Sequence, residues 1–185
     1  MESTKVKKAL SIRDICYIGI FVAIIAVCAQ IRIPLPGGVP FTLQTLAVAL
    51  SGLVLGAKRG VIATVIYILL GAIGLPIFTL FGSGFGVVFG LTGGFIMTFP
   101  IMAFLAGICS RQGKVFLLAV GLFAGVAVNL TIGMLWFAFV AQSTIQSAFV
   151  VAVAPFILPE VFKMVVVFVV GKSIQVALLK AGLAI

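Results

Sequence analysis

Glu160 and Lys163 stand three positions apart inside an apolar run from Ala148 to Val170. An ion at the centre of a membrane helix costs about 2.5–3.5 kcal/mol on insertion scales, so such residues are kept where they face a partner, a cavity or a solute. The chain has three acidic residues, Glu2, Asp14 and Glu160, and only the last lies deep in apolar sequence. At a spacing of three the two side chains share one helix face and can offer a hydrogen-bond acceptor and a donor to the same polar guest. The plainer alternative is a self-neutralising pair that lets the helix insert, although two apolar residues would insert more cheaply.

Other residues could add to that chemistry. Gly82-Ser83-Gly84-Phe85-Gly86 allows a backbone to approach a ligand closely. It is not a P-loop, because the Gly-x-x-x-x-Gly-Lys-[Ser/Thr] pattern is missing. Gly93-Gly94 reads either as the continuation of that surface or as close helix packing. Thr42, Gln44 and Thr45 open an apolar segment and either face a pocket or cap a helix. Asn129 and Thr131 lie inside another, where an amide must find a partner. Phe78, Phe81, Phe85 and Phe89 suit core or lid packing; Trp136 and Tyr17 suit interfacial anchoring, with Trp136 also a candidate for a pocket wall.

Some chemistry is excluded. Histidine is absent, which argues against a zinc site and against Ser-His-Asp or Cys-His catalysis. Cys16, Cys28 and Cys109 show no spacing motif and read as small buried hydrophobes. No metal, cofactor or enzymatic activity is expected.

These residues must be positioned by a membrane bundle. The chain has 185 residues, is 64% hydrophobic and 8% charged, and has a mean hydropathy of +1.44; a soluble domain carries about 25% charge. The predicted class is all-α: a single integral membrane domain over 1–185, with apolar segments at Ile15–Ile31, Phe41–Gly56, Val61–Leu80, Phe95–Ile108, Val115–Val140 and Phe149–Leu179. The final span is drawn over 156–179. The second segment, at about 24 Å as helix, falls short of a ~30 Å core and suits burial within protein. Pro159 is expected to open the last helix, with Glu160 in its first turn, where the macrodipole favours a carboxylate.

The formal net charge is +9, yet the basic residues are scattered between apolar segments, which suits a lipid surface and not nucleic acid. Lys5, Lys7, Lys8, Arg13, Lys58, Arg59, Arg111, Lys114, Lys172 and Lys180 fall on one side of a six-span arrangement, leaving Arg32 on the other. Both termini are then cytoplasmic, the first helix is uncleaved, and Glu160 and Lys163 lie in the outer part of the membrane. Three uncharged outer segments, Ile33–Thr42, Pro76–Gly90 and Gln142–Pro155, converge there as a lid or pocket wall. Gly19 and Ala23, with Ala26 and Ala29 following, give the first helix a small-residue face for helix contact, within the bundle or with another membrane protein.

The run Pro40-Phe41-Thr42-Leu43-Gln44-Thr45-Leu46-Ala47-Val48 resembles the signature of the BioY family, the biotin-specific substrate-binding component of energy-coupling-factor transporters. Tyr67 through Pro76, the stretch leading into Leu91-Thr92-Gly93-Gly94-Phe95, and Pro155 through Lys163 are similar in the same order. Two positions depart: family members usually carry Asp where Glu160 stands, and often Pro where Leu91 stands. The resemblance implies capture of biotin from outside, with partners in a membrane coupling subunit and a cytoplasmic ATPase pair, the first-helix small face docking on the coupling subunit. It makes Glu160 and Lys163 ligands of the ureido group. Backbone of Gly82, Ser83, Gly84 and Gly86 would approach the ligand, with Gln44 beside them, Phe residues and Val87 over the tail, and Arg32 a candidate for the carboxylate. The alternative reading is a stand-alone proton-coupled transporter of biotin or a related vitamin, with Glu160 carrying the proton.

Overall fold

The computed structural model describes residues 11–35, 38–112 and 114–182. Glu2, Lys5, Lys7 and Lys8 lie outside them. Helix α1 covers Ile12–Gln30 and opens on a capping box, with Ser11 and Asp14 each accepting the other's backbone N–H. A short antiparallel ribbon, β1 (Arg32–Ile33) with β2 (Phe41–Thr42), pairs Arg32 with Thr42. Then come α2 (Gln44–Leu55) and α3 (Ala57–Ala72), separated by Gly56 at φ 81°, a conformation that favours glycine.

The predicted third and fourth segments are both interrupted. Helix α3 stops at Ala72, well short of Leu80; Gly74 takes φ 114° and Pro76 follows, so 73–84 forms a loop with one turn of 3₁₀-helix at Thr79–Phe81. A four-residue α4 (Phe85–Val88) leads to α5 (Gly93–Met97) and α6 (Phe99–Ser110). The junction of α5 and α6 falls where Pro100 has no N–H to continue the ladder. Helix α7 spans Val115–Val140, as the sequence predicts. The last segment is also broken: α8 (Ile145–Ala152), a 3₁₀ turn at Ala154–Phe156 containing Pro155, and α9 (Ile157–Lys180). Helix α9 opens at Ile157, two residues before the predicted Pro159, which lies in its first turn, where its missing N–H is still not required.

Among the described residues four helical stretches are long and apolar enough to cross a membrane: Ile12–Gln30, Gly93–Ser110, Val115–Val140 and Ile145–Lys180. Helix α2 has 12 residues, about 18 Å, and is enclosed by α1, α3, α6 and α9. Its backbone is seated by glycines. A Cβ on Gly52 would lie 2.1 Å from the Ala103 carbonyl oxygen of α6, and one on Gly60 would lie 2.8 Å from Gly52 Cα. The far end of α2 is tied down by Gln175 of α9, which donates to the Leu53 carbonyl at 2.7 Å. Asp14 pairs with Arg59 at 2.8 Å across α1 and α3. The ends of α1, α3, α6 and α9 that carry Arg13, Arg59, Arg111 and Lys180 therefore gather on one side, and the loops that begin α2, α5 and α9 gather on the other.

Candidate functional site

Where α2 and α9 begin, the bundle holds a cavity of about 190 Å³. Its walls come from the β2–α2 junction, the 73–84 loop, α5, the middle of α7 and the start of α9. Glu160 and Lys163 both line it while being only 4% and 3% exposed. Lys163 uses its three N–H donors on the Thr42 carbonyl at 3.0 Å, the Thr45 hydroxyl and Glu160 Oε1. Thr45 in turn donates to the Glu160 carboxylate at 2.9 and 3.1 Å. The Phe41 ring lies 4.7 Å from the ammonium, within cation–π range. The two charges are thus held by each other and by the start of α2. Glu160 keeps lone-pair capacity toward the cavity, whereas a guest carbonyl reaches Lys163 only by displacing one of its partners.

Gln44 also lines the cavity, and a polar chain fixes it. Tyr67 donates to the Ile77 carbonyl at 2.9 Å, so its oxygen must accept from Gln44 Nε2, at 2.7 Å. Gln30 of α1 donates to the Phe78 carbonyl at 2.9 Å and accepts from the Phe81 N–H at 3.0 Å. Phe78 is buried against Gly71, where a Cβ would meet the ring at 2.2 Å, and stands edge-on to Tyr67. The loop is therefore built into the bundle, with its Thr79 and Leu80 on the cavity wall beside Val87 of α4. Tyr67→Phe leaves the Ile77 carbonyl and the Gln44 amide without their shared partner. Amide exchange over residues 77–82 should then quicken by about tenfold, as for loss of one buried hydrogen bond; unchanged exchange by mass spectrometry would mean that the chain does not restrain the loop.

Gly82, Ser83, Gly84 and Gly86 lie outside the cavity lining. Leu80 and Phe81 take φ 66° and 54°, turning the backbone before the glycines are reached. Gly82 then bridges back to Phe78, the Gly84 N–H bonds the Gly71 carbonyl at 2.7 Å, and Ser83 and Gly86 are exposed. Arg32 is exposed on the ribbon opposite Thr42 and is likewise absent from the lining. Gly93 and Gly94 serve packing: added Cβ atoms would lie 2.0 Å from the Val88 carbonyl oxygen and 2.3 Å from Trp136 Cβ. Trp136 donates to the Gly90 carbonyl at 2.9 Å and sits among Phe89 and Phe139, away from the cavity. In sequence Thr45 suits a pocket and a cap equally; its place beside Gln44, after the proline- and glycine-rich break, is the signal that points to the pocket.

Helical stretches long and apolar enough to cross a membrane, with a buried ion pair in the wall of a hollow at one end, make this a polytopic membrane bundle with a candidate solute site. The sequence over residues 2–180 matches the BioY family. It is 39% identical to the probable biotin transporter BioY of Pyrococcus horikoshii, covering 88% of this chain and 96% of that one, and 40% identical to the biotin transporter BioY of Thermotoga maritima, with the same coverage. The fold superposes with a TM-score of 0.82 on a crystal structure of the S-component for biotin from an ECF-type ABC transporter, over 89% of this chain and 91% of that one, at 22% identity. The chain belongs to the BioY family, and is a multi-pass protein of the prokaryotic plasma membrane.

Proposed function

We propose that this chain captures biotin from the outer side of the membrane and passes it inward as the substrate-binding subunit of an ATP-driven importer. The observation that carries the reading is the buried Glu160–Lys163 pair, with Thr45, in the wall of the cavity. A ureido group carries N–H donors beside one strong acceptor oxygen. An N–H can add to the free lone pairs of Glu160, and the oxygen can replace the Thr42 carbonyl or the Thr45 hydroxyl on Lys163. The pair is pre-organised without a guest, so little ordering cost falls on binding. Gln44 presents its remaining amide groups to the same space. The apolar bicycle and chain suit Phe78, Val87, Ile96 and Phe156. No contact to the biotin carboxylate is assigned to Arg32.

The proposed topology has six spans with both termini cytoplasmic, supported by the basic ends of α1, α3, α6 and α9 lying opposite the cavity. The short α2 and α3 count as spans because neighbouring helices enclose α2. The sequence carries no phosphate-binding loop, so ATP-driven uptake requires a coupling subunit and an ATPase pair on other chains. Calorimetry on the purified chain tests the capture step: biotin should bind tightly at one site, and failure to bind, or preference for an unrelated vitamin, would overturn the assignment. Vesicles holding this chain alone should show no uptake on a proton gradient; robust gradient-driven uptake would instead support the stand-alone transporter.

A further inference from the structure

Asn129 lies in the middle of α7, on a different element from the ion pair, and lines the same cavity while only 3% exposed. Its amide nitrogen donates to the Phe95 carbonyl at 2.8 Å and to Thr98 Oγ1 at 2.7 Å. The orientation of the amide is dictated by its neighbours. A carbonyl can only accept, and the Thr98 hydroxyl spends its own hydrogen on the Gly94 and Phe95 carbonyls, at 3.1 and 2.9 Å. Both Asn129 N–H groups are therefore committed. No described residue donates to its Oδ1, and that oxygen is not fully buried, on a side chain that lines the cavity. The cavity thus contains a fixed group that can accept and cannot donate. Gln44 differs, since it keeps an N–H as well as its Oε1 open and can play either part.

We infer that Asn129 is a specificity-determining ligand for the second ureido N–H of biotin, opposite the N–H taken by Glu160. This deepens the function proposed above and rests on it. The chemistry of the guest makes the choice. Biotin's carboxylate is repelled by a carbonyl-type oxygen, and its thioether ring and alkyl chain have no donors. Its two ureido N–H groups are the donors it has, and they point away from each other, so one wall of the cavity cannot take both. With Glu160 on α9 and Asn129 on α7, a cyclic urea finds an acceptor on each side. A buried acceptor left empty by an analogue lacking that N–H discriminates against it.

Asn129→Ala is a clean probe, because it orphans no protein group: Phe95 O keeps the Thr98 hydroxyl and that hydroxyl keeps its acceptors. The purified variant and the wild type should be titrated with biotin and with its two mono-N-methyl ureido isomers, with thermal midpoints recorded. Asn129→Ser takes the same place if the alanine variant is not recovered. The inference predicts a ten- to hundredfold weaker affinity for biotin, of the order expected for one buried hydrogen bond. It also predicts that the variant binds one methyl isomer at least as tightly as the wild type does. Wild-type affinity for biotin, or an equal loss for biotin and both isomers, would overturn it. Glu160→Gln, run alongside, separates the two levels. If it loses binding while Asn129→Ala does not, only the Asn129 assignment falls; if neither loses binding, the site itself is wrong and both fall.

Discussion

Lys163→Met is expected to weaken biotin binding by about a thousandfold or more, and to lower stability by about 3–5 kcal/mol, because it leaves a buried carboxylate without its cation. Of the contacts to Glu160, only the Thr45 hydroxyl would remain. The stability loss alone would not identify a ligand, since any buried pair behaves this way when halved. The informative variant is Lys163→Met combined with Glu160→Gln, which removes both charges. Stability should recover most of the loss, as replacing a whole buried pair is often neutral, while biotin affinity stays low. Thermal unfolding and calorimetry on the same preparations read both quantities. Recovery of binding together with stability would mean that the pair serves only the fold.

The second large effect concerns a glycine far from any ligand contact. Gly52→Ala places a methyl carbon where the Ala103 carbonyl oxygen stands 2.1 Å away. The obstacle is backbone, which cannot rotate aside, so α2 must move off α6. Overpacking of this kind costs about 1–3 kcal/mol and sometimes more. Since α2 carries Gln44 and Thr45, its displacement also separates Thr45 from Glu160. A fall in the thermal midpoint with a loss of biotin affinity is the expected pair of results. Wild-type values for both would show that α2 and α6 are less closely seated than described.

The parts of the site that were legible in the sequence are those where polarity is costly. Glu160 and Lys163 stand out because an apolar run has no cheap reason to hold them, and Gln44 because it follows a proline- and glycine-rich break. Asn129 was visible as a membrane amide, but its partners Phe95 and Thr98 come from a distant segment, so glue and ligand contact could not be told apart. The glycines of 82–86 misled for a physical reason. Glycine permits both a ligand approach and a tight turn, and here the turn is made partly by Leu80 and Phe81 at positive φ, which no residue preference announces. Gly93 and Gly94 show the same ambiguity decided by packing on α7. The break at Pro155 was legible, since the final span is drawn from 156 onward; the one at Pro100 was not, because the run over 95–108 stays apolar on both sides of it. The early end of α3 was hidden because Ile73, Leu75 and Ile77 prolong its apolar character past the last helical turn.

The central claim, that Glu160 and Lys163 recognise the ureido group, is tested most directly by a structure of the protein with biotin bound. The account predicts the ureido ring within hydrogen-bonding distance of Glu160 and Lys163, with one Lys163 contact to Thr42 or Thr45 exchanged for the ureido oxygen. Biotin seated elsewhere, or held with its ring turned from an undisturbed Glu160–Lys163–Thr45 cluster, would contradict it.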